Sequence, residues 1–333
     1  MRSRGRVLLA AVAIAAATRA GPPLVAQAPQ ARPLKVVAFS GVPTIPIRVA
    51  EARGLFARRG LKVETEITPN SPVLRDGLAA GKYDIAHAAV DNAIAMVETA
   101  GADVIIVMGG DNSMNELIVQ PDVRSVDDLK GRIVAVDAPN TAYALQLRKI
   151  LRGAGLRESD YEMATVGGTP QRMKAMLADR KYAASMLNPP FSIQAMRGGL
   201  RSLGTAARLL GPYQGMGAFV RRDWARANRQ ALVDYLAAFL EAQRWFLAPE
   251  NEADAIDLLA KALQLEREVA AQTFERGRAA LAPDARMDLD GLRSVLKLRA
   301  EIEGQWGGRA PDPGKYYDAT YHDAALAALK TGR

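Results

Sequence analysis

The side chains able to do chemistry in this chain are hydroxyls, amides, one acid and one histidine, gathered at a few turn-like places. Ser40, Gly41 and Thr44 share the loop Ser40-Gly-Val-Pro-Thr44, and Asn140 with Thr141 hold the matching place in Asp137-Ala-Pro-Asn-Thr141. Such groups beside a helix start donate hydrogen bonds to a polar head, and the same residue types cap helices whatever the function. Both roles stay open at each position. His87 is one of two histidines, and its ring N–H suits a carboxylate or sulfonate, although a lone histidine is more often a structural residue. Asp91 either caps a helix or receives a cationic or hydrogen-bonding group, with Asn92 beside it. Asn188-Pro-Pro-Phe191 occupies the equivalent place further on, where proline stiffens the turn and Phe191 offers apolar contact. Tyr143 and Tyr213 join an apolar face to a polar tip, and either pack or line a pocket.

What is missing narrows the classes. The chain has no cysteine, so a lipid-anchored cysteine, disulfides, thiolate metal sites and a cysteine nucleophile are all excluded. One candidate histidine does not supply the converging ligands that a metal site wants, and no metal, cofactor or catalytic set is expected. Asp91 with His87 is the one acid/base pair that an enzyme would use. The formal charge of +8 falls to +4 once Arg2, Arg4, Arg6 and Arg19 of residues 1–28 are set aside. The remaining Lys and Arg are scattered without interleaved aromatics, so no nucleic-acid partner is expected, while a mild positive field favours anionic solutes.

The elements that must position these residues begin after an export signal. Arg2, Arg4 and Arg6 precede an apolar run from Val7 to Ala17, and small residues follow up to Ala26-Gln-Ala28, the layout of a cleaved secretory peptide over 1–28. Pro29 hinders a cut directly after Ala28, which spreads the expected mature start over 21–31. No other segment is an unbroken apolar stretch of the ~20 residues a membrane helix needs. About 300 mature residues, half of them apolar, suffice for two cores of ordinary domain size.

Lys35-Val-Val-Ala-Phe39 reads as a strand leading into a loop and a helix, and Arg132-Ile-Val-Ala-Val136 repeats it ninety-seven residues later. Leu78-Ala-Ala-Gly-Lys-Tyr83 and Leu177-Ala-Asp-Arg-Lys-Tyr182 continue the likeness at an offset of ninety-nine. Two blocks in the same order imply a duplicated α/β unit, and alternating strands and helices imply open, mainly parallel, doubly wound sheets. The expected architecture is α/β with two lobes joined by a two-segment hinge: 33–115 plus 217–333 as the first lobe, and 116–216 as the second. Glu116–Gln120 and Gly217–Arg221 are expected as paired crossover strands at that hinge. Residues 227–248, 251–263, 266–280 and 288–303 show helical spacing and should wrap back onto the first lobe. His322, in the tail, is expected at the surface. Ligands of open sheets bind beyond the carboxyl ends of the strands, which places the residues above on two facing rims, together with the loops 109–113 and 167–169.

Ala50-Glu-Ala-Arg-Gly-Leu-Phe56, Gly60-Leu-Lys-Val-Glu64, Gly81-Lys-Tyr-Asp-Ile-Ala86 and Val126-Asp-Asp-Leu-Lys-Gly-Arg-Ile-Val-Ala135, in that order, resemble the periplasmic binding proteins for taurine, alkanesulfonates, nitrate and related solutes. The resemblance covers nearly the whole mature chain and departs from the group at Tyr182-Ala-Ala, where Val-Asp-Ala is usual. It implies a type II periplasmic-binding fold and a monomeric, exported, non-enzymatic solute-binding component of an ABC importer. Such a component captures a small organic anion between its lobes and delivers it to an inner-membrane permease. The alternative is an enzyme on the same fold acting on a small organic acid or pyrimidine precursor. Relatives of that kind include a pyrimidine synthase with clustered cysteines and a desulfinase with a cysteine nucleophile, and this chain has neither feature.

Overall fold

The computed structural model describes residues 31–112 and 114–331; the expected export signal at 1–28 and Ser113 of one rim loop lie outside them. The chain runs β1 (Arg32–Ala38), α1 (Ile45–Ala52), β2 (Leu61–Ile67), α2 (Ser71–Ala79), β3 (Ile85–Ala89), α3 (Asp91–Ala100) and β4 (Val104–Met108). It continues as β5 (Glu116–Val119), β6 (Ile133–Val136), α4 (Ala142–Gly153), β7 (Glu162–Thr165), α5 (Thr169–Ala178), β8 (Tyr182–Leu187), α6 (Phe191–Arg197) and β9 (Arg201–Thr205). After β10 (Met216–Arg221) come α7 (Arg229–Leu247), α8 (Glu252–Leu263), α9 (Arg267–Ala280), α10 (Leu289–Glu303) and α11 (Ala319–Lys330), with shorter helical turns between the longer elements.

Two five-stranded sheets result, ordered β2-β1-β3-β10-β4 and β7-β6-β8-β5-β9. Each has a parallel trio and then an antiparallel fourth strand, β10 beside β3 and β5 beside β8. The two orders correspond strand for strand, with β1, β2 and β3 matched by β6, β7 and β8. This is the two-lobed α/β architecture of the type II periplasmic binding proteins. In β3 and β4 every residue is buried, because helices cover both faces of a central strand and leave no side for water. β2 keeps only Leu61 fully buried, as an edge strand with one solvated face should.

The crossover strands correct the sequence reading. β5 and β10 do not pair with each other; each inserts antiparallel into a different sheet. The two segments that do meet at the crossing are the loops just before them. The Gly215 N–H donates to Asp111 O at 2.9 Å, the Met216 N–H to Asp111 Oδ2 at 3.0 Å and Gln214 Nε2 to Asp111 O at 3.1 Å. An apolar five-residue run looks the same whether it ends in a hinge or in a sheet, so periodicity could not separate these cases.

The helical segments from 229 to 303 fall close to their expected places. α7 is the spine of the larger core, where Leu232, Leu236 and Phe239 join Val36 of β1, Ile45 and Val49 of α1, and Phe274 of α9. α11 was not foreseen, and it reverses the reading of His322. That side chain is buried, and its Nε2 lies 2.6 Å from Asp284 O. Among the described residues no helix is long and apolar enough to cross a membrane.

Candidate functional site

A cavity lined from both lobes lies between the carboxyl ends of the two parallel trios, the place where open α/β sheets bind ligands. One lobe contributes Phe39 and Ser40 after β1, Ser71 opening α2, Ala89 ending β3, Asn92 in α3 and Met216 starting β10. The other contributes Asp137 after β6, Thr141 and Tyr143 at the start of α4, Thr169 and Arg172 in the first turn of α5, and Asn188 after β8. The backbone N–H groups of first helical turns have no partner inside their helix. Several helix starts therefore turn their positive ends toward this space.

Arg172 is the cationic side chain on that wall, and the sequence reading did not include it. Its side chain is 1% exposed. Nε donates to Ser185 Oγ at 2.9 Å, Nη1 to Gly167 O at 2.6 Å, and Nη2 to Thr169 Oγ1 at 3.2 Å and Met186 O at 3.0 Å. A guanidinium has five N–H donors; one on Nη1 therefore has no protein acceptor among the described residues. All four acceptors are neutral and, among the described residues, no carboxylate forms an ion pair with the charge, so the partners orient the group without neutralising it. Burial pulls its pKa down, opposed by the field of Asp137 and Tyr143. The Tyr143 ring lies 5.7 Å from the guanidinium carbon, and burial holds the Tyr143 phenol protonated far above neutral pH.

Three contacts close the cleft around the cavity. The Ser71 N–H at the start of α2 donates to Asp137 Oδ2 at 3.1 Å and Oδ1 at 3.3 Å. The Gly168 N–H donates to Pro69 O at 2.8 Å. Asn140 receives two arginines from the opposite lobe: Arg75 Nη1 on its Oδ1 at 3.3 Å, and Arg75 Nη2 and Arg299 Nη1 on its backbone O, each at 3.4 Å. Arg75 also donates from Nε to Asn92 Oδ1 at 2.7 Å, which ties a cavity residue to the inter-lobe contact.

Of the residues singled out from the sequence, the fold brings Ser40, Asn92, Thr141, Tyr143 and Asn188 to the cavity wall. Gly41 and Thr44 line a neighbouring recess instead. Thr44 and Thr141 hold equivalent places in the repeat, and each hydroxyl donates to the carbonyl three residues back, Gly41 O at 3.1 Å and Ala138 O at 2.9 Å. Gly41 adopts φ +146°, and a Cβ there would come within 2.9 Å of Asn188 Nδ2, so a side chain would press on a cavity residue. Asn140 forms the inter-lobe contact just described.

The remaining four sit elsewhere. His87 was expected at the cleft, but it is buried inside one lobe, where Nε2 lies 2.9 Å from Tyr235 Oη and the ring stacks on Phe239 at 5.0 Å. Burial pulls its pKa down to about 3. Because β3 is covered on both faces, a residue near its end still points into packed helices. Asp91 accepts Arg299 Nη1 at 2.7 Å in a fully buried ion pair; Phe191 belongs to a small core with Met173, Met176 and Leu187, and Tyr213 is buried against α10 residues Leu292 and Val295. These positions are governed by helices from distant parts of the chain.

One signal could have found Arg172. Thr169-Pro-Gln-Arg172 echoes Ser71-Pro-Val-Leu-Arg75, and each lobe thus opens its second helix with a hydroxyl, a proline and an arginine within the first five residues. Among the described residues no cluster of three or more His, Asp or Glu side chains is disposed to hold a metal ion.

The model of the NMT1-like family matches residues 27–260. A putative binding protein of Brucella abortus is 22% identical over 282 residues, covering 83% of this chain and 86% of the relative. A solved structure from Bordetella bronchiseptica superposes with a TM-score of 0.79 at 19% identity, covering 90% of this chain and 98% of its own. The alkanesulfonate-binding protein SsuA from Xanthomonas axonopodis pv. citri, bound to MOPS, superposes with a TM-score of 0.68 at 21% identity, covering 84% and 95% of the two chains.

Proposed function

The chain belongs to the NMT1-like family, and from that premise we propose that it is the extracytoplasmic solute-binding component of an ABC importer, trapping a small organic anion between its lobes. The observation that carries the reading is Arg172: a buried guanidinium on the wall of the inter-lobe cavity, held by neutral acceptors, with one N–H free. Burying a charge without its counter-charge is costly, and a bound anion supplies the missing partner. Asn92, Asn188 and Ser40 add hydrogen-bonding groups around it, while Phe39, Pro43 and Met216 offer apolar surface to the rest of the molecule. The related SsuA binds an alkanesulfonate, a solute of this class.

The lobes are taken as 33–115 with 217–333, and 116–216. Solute docks on one lobe, and closure about the loops at Asp111 and Gln214 brings in the other, the hinge-bending route to burying a ligand. The closed monomer then presents both lobes to an inner-membrane permease. An enzyme on this fold is the rival; its acid/base pair, His87 with Asp91, is absent from the cavity wall, so no observation favours it.

The test is a thermal-shift screen of the exported chain against small sulfonates, carboxylates and inorganic anions, beside neutral and cationic controls. A solute at a hundred times its dissociation constant adds ~2.7 kcal/mol of stability. Stabilisation by anions supports the reading. Stabilisation by cations or neutral solutes alone, or conversion of a hit to product, overturns it.

A further inference from the structure

Asn92 lines the cavity and is 2% exposed, and its neighbours decide which polarity it can offer. A side-chain amide presents either its oxygen or its N–H groups to a guest, and a half-turn about the last bond exchanges the two. Here both ends are held. Arg75 Nε, which can only donate, meets Asn92 Oδ1 at 2.7 Å, and Ala89 O, which can only accept, receives Asn92 Nδ2 at 3.2 Å. The reversed amide would set N–H against N–H at Arg75 and oxygen against oxygen at Ala89. The arginine contact is the shorter of the two and is charge-assisted, so it contributes the larger share of this preference. One N–H of Nδ2 is left without a protein acceptor among the described residues.

We infer that Arg75 is a positioning residue for solute binding: without lining the cavity itself, it locks the Asn92 amide so that the remaining N–H serves the guest as a hydrogen-bond donor. This rests on the anion-receptor reading and adds a residue to its site. A donor suits an anion, whereas an amide oxygen turned to the same guest would repel it. Arg75 is in turn held across the cleft, with Nη1 on Asn140 Oδ1 at 3.3 Å and Nη2 on Asn140 O at 3.4 Å. Its hydrogen-bond partners are all neutral. Because one guanidinium grips both a cavity amide and the opposite lobe, the donor is fully fixed only when the lobes are together, which links its presentation to closure. The competing role for Arg75 is that inter-lobe tie alone, and the two roles separate experimentally.

The experiment titrates ethanesulfonate, benzoate and nitrate calorimetrically into the exported chain, Arg75→Met, Asn92→Ala and the double variant. At least one probe should bind the native chain, and Arg75→Met should weaken it about fivefold or more. The same substitution made in the Asn92→Ala background should change affinity by less than about twofold, because the amide that Arg75 positions is gone. In the native chain the assigned Asn92 side-chain amide resonance should shift on saturation with that probe, and it should shift less in Arg75→Met. A loss on Arg75→Met that is equally large without the Asn92 amide overturns the inference and assigns Arg75 to lobe closure. Unchanged affinity in Arg75→Met, or an Asn92 amide signal that the probe leaves unmoved, overturns it as well; all three outcomes leave the anion receptor standing. If none of the probes binds the native chain, the anion-receptor reading falls and takes this inference with it. Ligand-free melting of each variant guards against misfolding, and the amide shift in the native chain is read without any variant.

Discussion

Arg299 of α10 and Asp91 at the start of α3 form an ion pair at 2.7 Å with both side chains closed off from solvent, joining elements more than two hundred residues apart in the chain. The pair lies behind the cleft: Arg299 also reaches Asn140 O in the opposite lobe. Asp91 Oδ2 and Arg299 Nη2 have no hydrogen-bond partner among the described residues, so the two buried charges rest on this salt bridge and on the neutral acceptors Asn140 O and Gln305 Oε1 that also receive Arg299.

Removing one member should therefore hurt more than removing both. Arg299→Met strands the Asp91 carboxylate, with an expected loss of about 3–5 kcal/mol in unfolding free energy. The double variant Asp91→Asn with Arg299→Met should recover part of it, because no lone charge remains. Urea denaturation of the three proteins checks the order; a double variant weaker than Arg299→Met would contradict it.

Arg172→Met should abolish anion binding while leaving the fold largely in place. Breaking a buried, hydrogen-bonded charge contact to a partner costs about 2–5 kcal/mol, so affinity for a solute identified by screening should fall at least about thirtyfold. Calorimetric titration measures it. Unchanged affinity would move the anion site off α5.

Asn140→Ala tests closure. The substitution removes the Oδ1 acceptor of Arg75 but keeps the backbone carbonyl that Arg75 and Arg299 also use. Losing one such hydrogen bond costs about 0.5–1.5 kcal/mol, which should appear as a severalfold faster release of solute in stopped-flow measurements. An unaltered release rate would exclude Asn140 from holding the lobes shut.

His87 should make stability depend on pH. Its folded pKa is pulled down to about 3 by burial, against about 6.5 in the unfolded chain, so the unfolded state binds the proton more readily. The associated stability is fully present above pH ~6.5 and is lost as pH falls toward ~3, at up to about 1.4 kcal/mol per pH unit. His87→Gln should flatten the stability curve across that window relative to the native chain. Urea midpoints at several pH values measure the difference; parallel curves would mean that His87 is not the group responsible.

The amino-acid order alone determined the duplicated strand–loop–helix unit, the helices from 229 to 303, and the rim positions Ser40, Asn92, Thr141, Tyr143 and Asn188. All of these follow from local pattern: apolar periodicity, turn residues and the rule that loops at the carboxyl ends of parallel strands meet in a cleft. The tertiary structure alone decided that His87 faces Tyr235 and Phe239, that Asp91 is matched by Arg299, that α11 turns His322 inward to Asp284 O, and that Arg172 and Asp137 share one cavity. Each of those outcomes depends on which distant helix covers a given face, and burial and charge pairing are settled by packing between segments that periodicity treats one at a time.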